Sequence, residues 1–165
     1  MPPTLAPELP EHPPEQPRFR EGRILIVDDE PLMRRFIEKA LRAGGYSDLL
    51  FCHVGTHVPF LARTERPHLI IMDIMMPGGN GLQALRKLKQ AAATENIPVI
   101  LTSGFNVLTL EASEQNQPDF MLSKPFSPHQ LLTEVERLVR PGPAFAGLIP
   151  PDRTTTPLAG AVWAR

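Results

Sequence analysis

Short, continuous apolar runs alternate along this chain with longer amphipathic stretches. The runs lie at Arg23 to Val27, Leu49 to Cys52, Leu69 to Met72, Val99 to Ser103 and Phe120 to Leu122. Unbroken rather than alternating apolarity is what strands covered on both faces require, so each run is read as an interior strand of a parallel sheet. Between them the apolar residues recur at helical spacing. Pro31 suits a first helical turn, and Met33, Phe36, Ile37, Ala40 and Leu41 follow it until Gly44 and Gly45 stop the helix. A short second helix is expected from about His57 to Arg63, with Pro59 in its first turn. Leu82, Leu85 and Leu88 mark one face of a third, with Arg86, Lys87 and Lys89 outside. Val107 to Gln115, polar and short, is a weaker candidate for a fourth. Ser127, Pro128 and Gln130 spell a capping box with proline at the first helical position, and the final helix continues through Leu131, Leu132, Val135, Leu138 and Val139. Five strands alternating with about five helices predict an α/β fold: a doubly wound, five-stranded parallel sheet with right-handed crossovers. No internal repeat is visible.

Proline sets the boundaries. Of 20 prolines in 165 residues, seven fall between Met1 and Pro17 and five between Pro141 and Pro157. Such segments favour extended, solvated backbone, which predicts a disordered leader over 1–21, a folded domain over 22–140 and a mostly disordered tail over 141–165. Phe145, Leu148, Ile149 and Trp163 in that tail could dock on a surface. The 42% hydrophobic content supplies a core for one domain. With 17 basic against 18 acidic residues, charge gives no reason to expect nucleic acid or a membrane surface as a partner. The single cysteine, Cys52, excludes an internal disulfide and reads as a small core residue in a reducing compartment. No apolar run approaches the roughly 18 residues of a membrane span, and a cytoplasmic protein is expected.

Chemistry gathers where the strands stop. The run Leu69 to Met72 ends on Asp73 and breaks into PGGNG, while Arg23 to Val27 ends on Asp28, Asp29 and Glu30. Parallel strands bring their carboxyl ends to one edge, where open α/β sheets bind ligands. If the first and third strands are neighbours, about 5 Å apart, the three aspartates meet. Like charges so close call for a cation, and oxygen-only ligands favour Mg²⁺ over zinc. The next strands end at Ser103 and Lys124. A metal, a hydroxyl and an ammonium around one carboxylate form a socket for the outer oxygens of a phosphoryl group on Asp73, which would then be the nucleophile. Taken singly, Ser103 could cap a turn, Lys124 could be solvated, and Asp28 could begin the helix as its N-cap.

These residues resemble the receiver domain of two-component response regulators, a flavodoxin-like fold. The matching pieces are ILIVDDE, LIIMDIMMPGGNG, PVILTSG and MLSKPF, in order and at the family's spacing. The resemblance implies that Asp73 accepts a phosphoryl group from a histidine kinase or histidine phosphotransfer protein. It implies that Asp28, Asp29, Asp73 and the backbone carbonyl of Met75 hold Mg²⁺, and that Lys124 pairs with the phosphoryl oxygens. Ser103 would be the switch hydroxyl that turns inward, and the Lys124 to Pro125 bond would be cis. Three positions depart from the family pattern. Met121 stands where an aromatic switch residue is usual, with Phe120 directed to the opposite face. Asn80 replaces an acidic residue before the loop glycine. Met75 and Phe105 are apolar, which should hinder an attacking water and prolong the phosphoaspartate. The expectation is a stand-alone receiver that acts on a downstream protein through a phosphorylation-dependent surface around Val107 to Gln115 and the fifth strand. A phosphohydrolase of the haloacid dehalogenase type is disfavoured, because that family needs an aspartate at the position of Met75. A receiver-shaped adaptor that works without phosphorylation is the alternative.

Overall fold

The computed structural model describes residues 20–76, 80–104 and 117–139. Five strands form one sheet: β1 (Ile24–Val27), β2 (Leu49–Cys52), β3 (Leu69–Asp73), β4 (Val99–Ser103) and β5 (Phe120–Ser123). All pairings are parallel, and the spatial order is β2-β1-β3-β4-β5, with β1 beside β3 as the aspartates required. β1, β3 and β4 are buried along their whole length, whereas the edge strands β2 and β5 are only partly covered. That is the burial an unbroken apolar run predicts for central strands.

Four α-helices cover the two faces among the described residues: α1 (Pro31–Ala43), α2 (Val58–Glu65), α3 (Gly81–Lys89) and α4 (Pro128–Leu138). Strand alternation splits the core into two layers. Ile24, Ile26, Leu69, Ile71, Ile100 and Leu122 pack with α1 and α4. Leu25, Val27, Ile70, Met72, Val99 and Leu101 pack with α2 and α3. Cys52 is buried in the second layer, as expected of a small core residue.

Several boundaries differ from expectation for local reasons. β1 begins at Ile24, since the Arg23 N–H donates to the His68 side chain (Nδ1, 3.0 Å) and the Arg23 guanidinium pairs with Asp48 (3.0 Å) and Glu65 (3.1 Å). A single 3₁₀ turn, Gly55–His57, precedes α2, which runs two residues past Arg63 and closes on Arg66 in the left-handed region (φ 48°). β5 gains Ser123, paired in register with Ser103. Lys89, expected on the outer face of α3, is instead partly buried: its ammonium donates to the carbonyls of Glu95 and Ile97 and reaches Asp119 at 3.0 Å. The long methylene stem lets the charge fold back over the helix end, which a helical wheel does not register. The α4 capping box is present in both halves: the Gln130 N–H donates to Ser127 Oγ and the Ser127 N–H to Gln130 Oε1. The expected helix over Val107 to Gln115, residues 1–19 of the leader and the C-terminal tail lie outside the described residues; Arg20, the leader's last residue but one, bridges to Tyr46 as an isolated parallel β-bridge.

Candidate functional site

The carboxyl edge of the sheet is built by register. Val27 pairs with Met72, so Asp28 and Asp73 leave β1 and β3 side by side. Thr102 on β4 is the register partner of Asp73, and Leu122 on β5 is the partner of Thr102. Counting in twos along each strand puts Asp28, Asp73, Thr102 and Lys124 on the face covered by α1 and α4. Ser103 falls on the opposite parity.

The side chains converge. One oxygen from each of Asp28, Asp29 and Asp73 lies within 4.8 Å of the others. Asp28 and Asp73 are buried, at 1% and 6% exposure, while Asp29 is exposed. The Lys124 ammonium bridges the buried pair, 2.9 Å from Asp28 Oδ2 and 3.0 Å from Asp73 Oδ1. Asp28 does not cap α1. The N-cap is Glu30, and Asp28 Oδ1 accepts the Glu30 N–H at 2.8 Å, a bond that fixes the turn carrying Asp29. Met75, two residues past Asp73, has its side chain 59% exposed. Ser103 is buried, and its carbonyl accepts the Lys124 N–H at 2.7 Å, so β4 fixes the start of the lysine's turn. The peptide bond between Lys124 and Pro125 is cis, as the resemblance implied.

Burial and neighbouring charges pull the ionisable groups of this cluster in opposite directions. Burial pushes the Asp73 carboxyl above its usual range, Lys124 opposes the shift, and the nearby Asp28 and Asp29 add to it. Burial alone would lower Lys124, but its bonds to Asp28 and Asp73 outweigh that and hold it raised. Three carboxylates facing one ammonium leave an excess of negative charge. All the clustered donors are hard oxygens, with neither imidazole nor thiolate among them, which is the donor chemistry of Mg²⁺.

Two participants escaped the sequence reading. The Thr102 hydroxyl, fully buried, donates to Asp73 Oδ1 at 3.4 Å. The strand period alone could not find it, because comparing β4 with β3 needs their register, in which Thr102 and not Ser103 is the partner of Asp73. Arg34 donates from Nη1 to the Asp28 carbonyl at 2.6 Å. It sits one turn into α1, where a helix beginning directly after the acidic strand end brings a side chain back over that end. Met121 packs against the α2 and α3 layer. Phe120 packs on the other face beneath Arg137, whose guanidinium lies 5.4 Å from the ring centroid. Phe105 lies outside the described residues.

Comparison with known proteins bears on what such a site does. The sequence model of the response regulator receiver domain matches residues 24–136. The phosphate regulon transcriptional regulatory protein PhoB of Pseudomonas aeruginosa is 34% identical over 124 residues, covering 71% of this chain and 51% of its own length. The protein PilH of the same organism is 37% identical over 120 residues, covering 72% of this chain and 98% of PilH. The chain therefore spans about half the length of PhoB and nearly all of PilH. Among solved structures, the receiver domain of the P. aeruginosa sensor histidine kinase PA1611 superposes with a TM-score of 0.64 at 28% identity, covering 72% of this chain and 97% of that one. That structure holds a magnesium ion in its active-site cleft.

Proposed function

The chain belongs to the response regulator receiver domain family, and on that premise we propose that its domain, residues 22–140, accepts a phosphoryl group on Asp73 in a Mg²⁺-dependent reaction. The donor is a phosphohistidine of a sensor histidine kinase or histidine phosphotransfer protein, and the output is a protein surface that changes with phosphorylation. The observation that carries this reading is the bridge of Lys124 to Asp28 and Asp73, at 2.9 and 3.0 Å, inside a cluster of three carboxylates.

A carboxylate oxygen of Asp73 attacks phosphorus. The P–N bond of the phosphohistidine breaks, and its electron pair leaves with the imidazole nitrogen, which then takes up a proton. Lys124 follows the charge from the Asp73 carboxylate to the phosphoryl oxygens, while Asp28 keeps the ammonium in place. Ser103 turns toward the phosphoryl group and carries the change into β4. Asp28, Asp29, Asp73 and the Met75 carbonyl would hold Mg²⁺, which when bound would supply positive charge to the site. Met75, exposed two residues past Asp73, hinders an attacking water and slows hydrolysis. No helix among the described residues is long and apolar enough to cross a membrane.

Incubation with Mg²⁺ and acetyl phosphate, followed by intact-mass measurement, tests this reading. The expected result is a gain of one phosphoryl group, lost in Asp73→Asn and lost on chelation of the metal. A second reading, an adaptor that works without phosphorylation, is favoured by one observation: Met121 occupies the position of the family's aromatic switch. A mass unchanged with Mg²⁺ and the phosphodonor would overturn the first reading in favour of the second.

A further inference from the structure

We propose that Thr102 is a positioning residue that holds Asp73 Oδ1 through the phosphorylation cycle and shortens the life of the phosphoaspartate; this rests on Asp73 being the phosphoacceptor. Thr102 is the register partner of Asp73 and lies on the same face of the sheet. Its hydroxyl is fully buried and donates to Oδ1 at 3.4 Å. Thr102 and Lys124 both reach the same oxygen of this carboxylate. Oδ1 is therefore anchored, and Oδ2 is the oxygen that attacks.

The two donors part company once the phosphoryl group arrives. The Lys124 ammonium, already shared with Asp28, moves to the phosphoryl oxygens, where the new charge lies. Thr102, fixed in the middle of the sheet by β4, cannot follow, and it becomes the donor that remains on Oδ1. In the acyl phosphate Oδ1 is a neutral carbonyl oxygen. Hydrolysis forms a bond from water oxygen to phosphorus and breaks the bond from phosphorus to Oδ2. That electron pair returns to Asp73, and the water's proton leaves with the phosphate or solvent. Negative charge thus grows on the carboxylate that Thr102 touches. A hydrogen bond to an anion is roughly twice as strong as one to a neutral oxygen, so the hydroxyl favours the departing carboxylate over the acyl phosphate.

The test measures phosphoaspartate half-life by intact mass after the phosphodonor is removed, in wild type, Thr102→Val, Thr102→Ala and Thr102→Ser. Valine keeps the volume and the β-branch and deletes the donor; alanine is the second deletion should the valine variant not fold. The half-life is expected to lengthen roughly threefold to tenfold on deletion of the donor and to return toward wild type in Thr102→Ser. A purely structural role would not be rescued by the smaller serine. Equal or shorter half-lives in the deletion variants overturn the inference alone. Failure of wild type to gain a phosphoryl group overturns the phosphoacceptor reading beneath it.

Discussion

Asp73 is an expensive residue to bury, and its neighbours explain how the fold tolerates it. Its carboxyl is raised by burial and by two adjacent acids, and the Lys124 ammonium offsets part of that cost. A second buried polar group lies on the far side of the molecule. Tyr46 is 2% exposed under the Arg20 guanidinium, which is 5.6 Å from the ring centroid and pairs with Glu136 at 2.6 Å. Burial pushes the phenol above its ordinary value of 10.0, Arg20 pulls it back in part, and Glu136 adds to the rise. The folded protein therefore keeps the phenol proton to higher pH than the unfolded chain does. The stability this contributes is whole below the unfolded value and is lost as pH rises through the folded one. Because the chain has a single tyrosine, phenolate absorbance reads it directly. The midpoint should lie higher in native protein than in urea-unfolded protein; coincident midpoints would show that the site is not desolvated.

At the scale of elements, the exit of β3 is held by the start of α3. The Gly81 N–H donates to the Ile74 carbonyl at 2.9 Å, and a Cβ on Gly81 would overlap the Asp73 carbonyl oxygen and stand 3.0 Å from Ile74 Cα. Backbone rather than a flexible side chain blocks the space, so the helix or the strand end has to move. Gly81→Ala should lower stability by about 1–3 kcal/mol, read as a shift of the urea midpoint, and should slow phosphorylation of Asp73. An unchanged midpoint would mean that this contact relaxes freely. Elements with strong local chemistry were legible beforehand. The Ser127 and Gln130 capping box, Pro31 at the start of α1 and the unbroken run of β3 each have one local solution. Lys89 was not legible, because its position outside α3 is reversed by Asp119, 30 residues away, and by two carbonyls of the α3 to β4 turn. The start of α2 was blurred because a single 3₁₀ turn and the first turn of an α-helix both bring residues i and i+3 together.

For the whole molecule, the decisive fact is that four strand ends of unlike sequence meet on one edge. The sequence could say which residues end the strands, since Asp28, Asp73, Ser103 and Lys124 each follow an apolar run. It could not say how near their atoms come, because the strand order β2-β1-β3-β4-β5 is a long-range property and entered only through family resemblance. Nor did the polar ends alone rank Thr102 above Ser103 as the neighbour of Asp73; that follows from parity and register together. The account stands on Asp73 as the attacking group. Borohydride reduction of the phosphorylated protein converts an aspartyl phosphate to homoserine, and peptide sequencing by mass spectrometry locates the change. Conversion of Asp73 alone is the predicted result. Conversion of Asp28, Asp29 or any other residue, or none in protein whose mass has risen by one phosphoryl group, would contradict it.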